Sequence, residues 1–269
     1  MSAAARTVDS ATRLGNADRG AVIACGSHGG RYAAWLAARA GVKAIVLNDA
    51  GVGRQDAGVA GLAWLGALGI AACAVDFRSA RIGDGADTLE SGALSTVNDV
   101  AAALGCAAGM ACRDAVARLA RATAPAAGLA LPEVGESRRV IPSTGHRAAW
   151  LLDSVSLVRA SDAHAIVVTG SHGALLGGRP DHVLETDVHA AIFNDAGGGK
   201  DGAGHSRLGA LDARGIAAAT VDCESARIGE GRSTYETGVL SRVNEAARRL
   251  ELNEGMSCRE AVARMLGLG

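Results

Sequence analysis

Histidines 28 and 172, aspartates 49 and 195 and arginines 81 and 227 are the residues of this chain whose types and settings suit chemistry. His28 lies in Cys25-Gly26-Ser27-His28-Gly29, and His172 in Thr169-Gly170-Ser171-His172-Gly173. An imidazole between glycines is open to close approach by a ligand and titrates near neutrality, which suits a general acid or base. Asp49 and Asp195 each follow an asparagine, in Asn48-Asp49-Ala50-Gly51 and Asn194-Asp195-Ala196-Gly197. A turn needs only one of those two polar residues. The aspartates are therefore candidate catalytic partners of the histidines, and Asn48 and Asn194 candidate substrate contacts.

Arg81 and Arg227 stand in Ser79-Ala80-Arg81-Ile82-Gly83 and Ser225-Ala226-Arg227-Ile228-Gly229. A planar guanidinium ahead of a glycine-rich loop suits a carboxylate or phosphate, the alternative being an internal pair with Asp76 or Asp222. Ser27, Ser171, Ser79 and Ser225 supply hydroxyls beside these groups. Lys200, in Gly197-Gly198-Gly199-Lys200-Asp201-Gly202, adds a cation in a flexible loop and aligns with Arg54. His182, His189 and His205 show no metal-ligand spacing, so no metal and no organic cofactor are expected.

These residues come in pairs because the chain repeats itself. The histidine turns are 144 residues apart, and the Asn-Asp-Ala-Gly and Ser-Ala-Arg-Ile-Gly segments 146 apart. Residues 47–76 match 193–222 at 16 of 30 positions, and 76–100 match 222–246 at 14 of 25. Unrelated stretches would share about one or two, so the chain reads as an internal duplication.

The elements that must carry the motifs follow the same order in both halves. Short apolar runs at 21–25, 44–47 and 70–75, and again at 165–168, 190–193 and 216–221, predict buried parallel strands. Helices are predicted over 31–40, 58–68, 88–104 and 110–121. All three polar motifs then fall at strand carboxyl ends, where open parallel sheets bind ligands. Pro125, Pro132 and Pro142 mark residues 122–147 as a linker between repeats at 1–121 and 148–269. The expected fold is α/β: two similar three-layer units with parallel strands, related by a pseudo-twofold axis. Gly92, Ser95 and Asn98, with Gly238, Ser241 and Asn244, are expected to form a small polar ridge on a helix, and Glu90 and Glu236 to cap it.

Composition narrows the function. Apolar residues make up 49% and aromatics 3%, so the core must be closely packed Ala, Val, Leu and Ile. A net charge of −1 without a basic run speaks against nucleic acid. No apolar run of membrane-spanning length occurs, and the six cysteines lack C-x-x-C spacing and read as reduced, buried thiols. A cytoplasmic homo-oligomer with no membrane partner is expected. His28-Gly29 followed by Asp49-Ala50-Gly51 partly resembles the caspase-like cysteine peptidases, but Gly51 and Gly197 stand where the nucleophile would be. The duplicated plan is similar to that of aspartate/glutamate racemases, yet the only matched cysteines, Cys112 and Cys258, fall on C-terminal helices. The function expected is hydrolase or lyase chemistry on a small anionic metabolite bound in a cleft between the halves. Arg81 and Arg227 would clamp its carboxylate, and His28, His172, Asp49 and Asp195 would transfer protons. A pseudo-symmetric isomerase and a non-catalytic ligand-binding protein are the alternatives.

Overall fold

The computed structural model describes residues 5–125, 130–142, 147–180 and 183–268; His182 and the linker glycine Gly128 lie outside them. The chain forms two compact units. Unit 1 comprises Met1–Val52, Asp56–Gly135 and Gly199–Asp201, and unit 2 Gly53–Gln55, Glu136–Gly198 and Gly202–Gly269. The main division thus falls within the stretch read as a linker, and each unit also takes in a tripeptide from the other half of the sequence.

Unit 1 runs β1 (Arg6–Val8), β2 (Val22–His28), α1 (Arg31–Ala40), β3 (Ala44–Asn48), α2 (Gly61–Ala67), β4 (Ala71–Val75), α3 (Gly85–Ser91), β5 (Leu94–Val97), α4 (Asp99–Ala103) and α5 (Cys112–Leu119). Its sheet has the order β1-β2-β3-β4-β5. The first four strands are parallel, and β5 is antiparallel to β4. Strand alternation divides the core: Ile23, Cys25, Ile45, Leu47, Ala72 and Ala74 pack with α1 and α2. Val22, Ala44, Val46, Ala71 and Cys73 face α5 residues Cys112, Ala115, Val116 and Leu119. Because both faces are covered, every residue of β3 and β4 is buried, and the strands read as unbroken apolar runs. Alanine-rich α1 suits this close packing, and it ends on Gly41 in the left-handed conformation.

Unit 2 runs β6 (Arg138–Ile141), β7 (Ala149–Leu152), β8 (Ile166–His172), β9 (Ala190–Asn194), α6 (Ser206–Asp212), β10 (Ala217–Val221), α7 (Gly231–Thr237), β11 (Leu240–Val243), α8 (Glu245–Arg248) and α9 (Cys258–Met265). Its sheet order is β11-β10-β9-β8-β7-β6, antiparallel at both edges and parallel between. Strand β6 lies inside the stretch expected to be a linker. Its Arg138 joins the buried Asp162 in a two-pronged ion pair and lies over the Trp150 ring. Between β8 and β9 the helical content of the described residues is one 3-10 turn at Leu176–Gly178.

Several expectations need correction. Residues 88–104 are not one helix: α3, β5 and α4 follow one another there, and β5 makes the sheet mixed. The ridge of Gly92, Ser95 and Asn98 therefore does not exist. Gly92 follows α3, Ser95 lies in β5, and Asn98 caps α4. Neither does Glu90 cap: the Asp84 side chain accepts the Asp87 N–H at the start of α3, and Glu90 pairs with Arg113. Glu236 pairs with Arg232.

The i, i+3 spacing hid a different device. Asn98 is buried with all four bonds filled, accepting from Ala72 and Ala101 N–H and donating to the Leu62 and Ile70 carbonyls. Asn244 makes the matching set with Ala218, Ala247, Leu208 and Ile216. Each asparagine fastens two helices and a strand, α2, β4 and α4 in unit 1 and α6, β10 and α8 in unit 2. All six cysteines are buried free thiols. Among the described residues no helix is long and apolar enough to cross a membrane.

Candidate functional site

In each unit the three polar motifs meet at the carboxyl end of the parallel strands. His28 pairs in register with Asn48 across β2 and β3, and His172 with Asn194 across β8 and β9. Asn48 is fully buried; its amide donates to the Ala80 carbonyl at 3.1 Å, and its oxygen accepts the Ala50 N–H at 2.9 Å. Asn194 does the same with Ala226 and Ala196. These bonds offset the strain of Ala50 and Ala196, held at φ 52° and 51° in the left-handed region. They also stitch the second motif to the loop that carries Arg81 or Arg227. The asparagines are thus engaged inside the protein.

Asp49 and Asp195 are buried as well. Asp49 accepts the N–H groups of Gly51 and Phe77, and Asp195 those of Gly197 and Cys223, all between 2.9 and 3.1 Å. Burial raises both carboxyls, against the backbone N–H bonds of Gly51 and Phe77 at Asp49 and of Gly197 and Cys223 at Asp195.

The histidines make local turns. Nδ1 of His28 accepts the Gly30 N–H at 3.1 Å, and Nδ1 of His172 the Ala174 N–H at 3.3 Å. Each then carries its proton on Nε2 when neutral. Burial lowers the His28 pKa to about 4. At neutral pH it is a hydrogen-bond donor through Nε2 rather than a reservoir of protons.

The glycines beside the histidines do not leave room for a ligand. A Cβ on Gly26 would stand 2.4 Å from the Asp84 nitrogen, and one on Gly170 2.2 Å from the Glu230 nitrogen. The chain's own loop fills the space. Ser27 and Ser171 accept the N–H groups of Ala11 and Val155, again within their own units. Ser79 donates to the Asp76 carbonyl and accepts from Ala93; Ser225 does likewise with Asp222 and Val239.

The cations stand apart from this stitching. In unit 1, Arg81 pairs with Asp201 and, at 3.4 Å, with Asp87. Lys200, also of unit 1, donates to both Asp87 oxygens at 2.8 and 3.1 Å. In unit 2, Arg227 reaches Gln55 at 2.9 Å and Glu230 at 3.0 Å, and among the described residues its buried Nε has no hydrogen-bond partner. Neither arginine pairs with the aspartate expected from the sequence; Asp76 is held by Arg78 instead.

One constellation escaped the sequence reading. His205 Nδ1 lies 3.0 Å from Thr220 Oγ1, which lies 3.0 Å from Ser241 Oγ, and Ser241 donates to the Thr220 carbonyl at 3.3 Å. Burial lowers the His205 pKa, opposed by the charge of Asp195. The signal was in the repeat: the matching residues of unit 1 are Val59, Ala74, Ser95 and Asp49. Polar replacements at two positions, aligned with a shared Ser and Asp, mark the network.

Among the described residues no three His, Cys, Asp or Glu side chains form a metal-ligand set. An open depression beside α5, lined by Met110, Asp114, Ala117, Arg118 and Arg121, contains none of the residues singled out above. Comparison with protein-family models, with curated proteins and with solved structures finds no match for this chain.

Proposed function

We propose that this chain is a small-molecule enzyme performing acid–base chemistry, hydrolysis or elimination, on a small carboxylate-type metabolite in unit 2. The supporting observation is the chain of hydrogen bonds from Ser241 through Thr220 to His205, whose titration the Asp195 charge also affects. Ser241 spends its proton on the Thr220 carbonyl, so Thr220 Oγ1 donates to Ser241 and His205 Nδ1–H to Thr220. That order leaves Nε2 of the half-buried His205 unprotonated, beside the Gly197-Gly198-Gly199 loop. Such a nitrogen can take a proton from water in hydrolysis, or from carbon in elimination. Arg227 would hold the substrate carboxylate. Unit 1, with Ala74 and Val59 in place of Thr220 and His205, would serve as the scaffold copy of a duplicated ancestor. A homo-oligomer acting in the cytoplasm, with no nucleic acid partner, completes the reading.

The test is turnover of a panel of small acyl-, hydroxy- and amino-carboxylates followed by NMR. His205→Ala should lower the rate by about 10²-fold or more, with an unchanged circular dichroism spectrum. Full activity in that variant would remove His205 from the mechanism. Ligand binding without turnover of any member would select the second reading, a non-catalytic binding protein. That reading is favoured by the complete internal engagement of Asn48, Asp49 and Ser79.

A further inference from the structure

The carboxylate of Asp87 in unit 1 has no counterpart in unit 2. Its side chain is one-tenth exposed. Oδ1 receives Lys200 Nζ and Ser91 Oγ, each at 2.8 Å, and Oδ2 receives the main-chain N–H of Arg81 at 2.8 Å, with the Arg81 guanidinium at 3.4 Å. Burial alone would raise this carboxyl, but those donors bring it below its ordinary range. A carboxylate group on one methylene is thus held by Lys200, by the Arg81 main-chain N–H and, at longer range, by the Arg81 guanidinium.

The matching position in unit 2 is Ser233, whose Oγ accepts the main-chain N–H of Arg227 at 2.9 Å. Arg54 takes the place of Lys200: its N–H meets the Cys223 carbonyl at 2.8 Å, as the Lys200 N–H meets Phe77 at 2.9 Å. Gln55 takes the place of Asp201 and receives Arg227. Both cations persist, while two carboxylates have become a hydroxyl and an amide. Glu230 remains on Arg227 at 3.0 Å, but the two side chains are 46% and 35% exposed, and such pairs are weak. Arg227 Nε is buried without a partner, and the Arg54 guanidinium has no hydrogen bond or ion pair among the described residues.

We propose that unit 2 binds the carboxylate of a small free acid where unit 1 holds the side chain of Asp87. Arg227, Arg54 and the Ser233 hydroxyl are its donors, and Glu230 is the group it displaces. Unit 1 carries its anion covalently and is closed to ligand, so each chain has one such site. The inference shares with the proposed function only the assignment of Arg227 as a ligand contact; it does not require turnover.

Acetate is the free analogue of the Asp87 carboxylate and serves as the probe, exchanged for chloride at constant ionic strength with the full chain. Acetate at about ten times its dissociation constant should raise the wild-type Tm by about 3 °C. Ser233→Asp should raise Tm without acetate and abolish the increment, because the side chain then fills the site. Asp87→Ser should lower Tm and enlarge the acetate increment by opening the second site. If Ser233→Asp does not fold, Arg54→Gln must lose the increment instead. No acetate effect on the wild type, or one that survives both unit 2 substitutions, overturns the proposal. Turnover distinguishes the two readings: an acetate increment without any activity sinks the enzyme alone, and activity without an increment sinks this site alone.

Discussion

Nδ1 of His28 accepts the N–H of Gly30 at 3.1 Å, so the imidazole that looked free to shuttle protons is fixed by its own turn. Its folded pKa of about 4 lies below the unfolded value of 6.5. Above pH 6.5 both states are neutral and the stabilisation is complete. As pH falls toward 4 the unfolded chain takes up the proton first, and stability is lost. Urea unfolding should therefore give a lower free energy at pH 5 than at pH 7.5, and His28→Gln should shrink that difference. An NMR titration of His28 with a midpoint near 6.5 would restore it as a proton carrier.

Asn98 is a stronger structural determinant than any histidine. Its four buried hydrogen bonds tie α2 to β4 and cap α4. Asn98→Ala leaves two N–H and two carbonyl groups unpaired in the core and should cost about 3 kcal/mol in chemical denaturation. Asn244→Ala should cost about the same. A loss under 1 kcal/mol in both would mean that water replaces the side chain.

The central strands and their burial on both faces were legible because parallel strands covered on both sides must be continuous apolar runs; the edge strands were not. Residues 44–47 and 190–193 could be read no other way. Residues 88–104 failed for a physical reason. Their i, i+3 polar spacing suits a helix, but Asn98 bonds β4 instead, and the two-residue return at Gly92 has no side-chain signature. The polar motifs were located correctly at the strand ends, yet their types did not reveal whether they faced ligand or protein. Asn48 and Asp49 spend their donors and acceptors on Ala80, Ala50, Gly51 and Phe77, a demand set by loop stitching that one strand's sequence cannot show. The differences between the halves, Val59 against His205 and Asp87 against Ser233, are what the two proposals rest on, whereas the shared Asn48 and Asp49 are engaged in loop stitching.

Gly26 and Gly170 test whether the histidine turns serve packing or ligand. In both, an added Cβ would stand within 2.5 Å of backbone nitrogen in the following loop, which is fixed by its own hydrogen bonds. Backbone cannot yield as a side chain tip can, so Gly26→Ala should destabilise by about 3 kcal/mol. Thermal unfolding measures this directly. An alanine tolerated at Gly26 with full stability would mean that the loop at Gly83 and Asp84 can lift, reopening the turn to a ligand.

Arg207 supplies the last test, because it is a charge buried without compensation. It is 2% exposed and lies over the Phe193 ring, with one bond to the Ala174 carbonyl. Nε and Nη1 have no partner, and burial lowers its pKa to about 10, so it stays charged at neutral pH. Unit 1 has Gly61 at this position, where a Cβ would meet Ala34 of α1 at 2.5 Å. In unit 2 the arginine stem occupies that place. Methionine keeps the apolar volume and removes the unpaired charge, so Arg207→Met should stabilise the chain by about 1–3 kcal/mol. Calorimetry of the two proteins decides it. A loss of stability would show that the guanidinium meets an anion in solution, and the search for ligands would then move to Arg207.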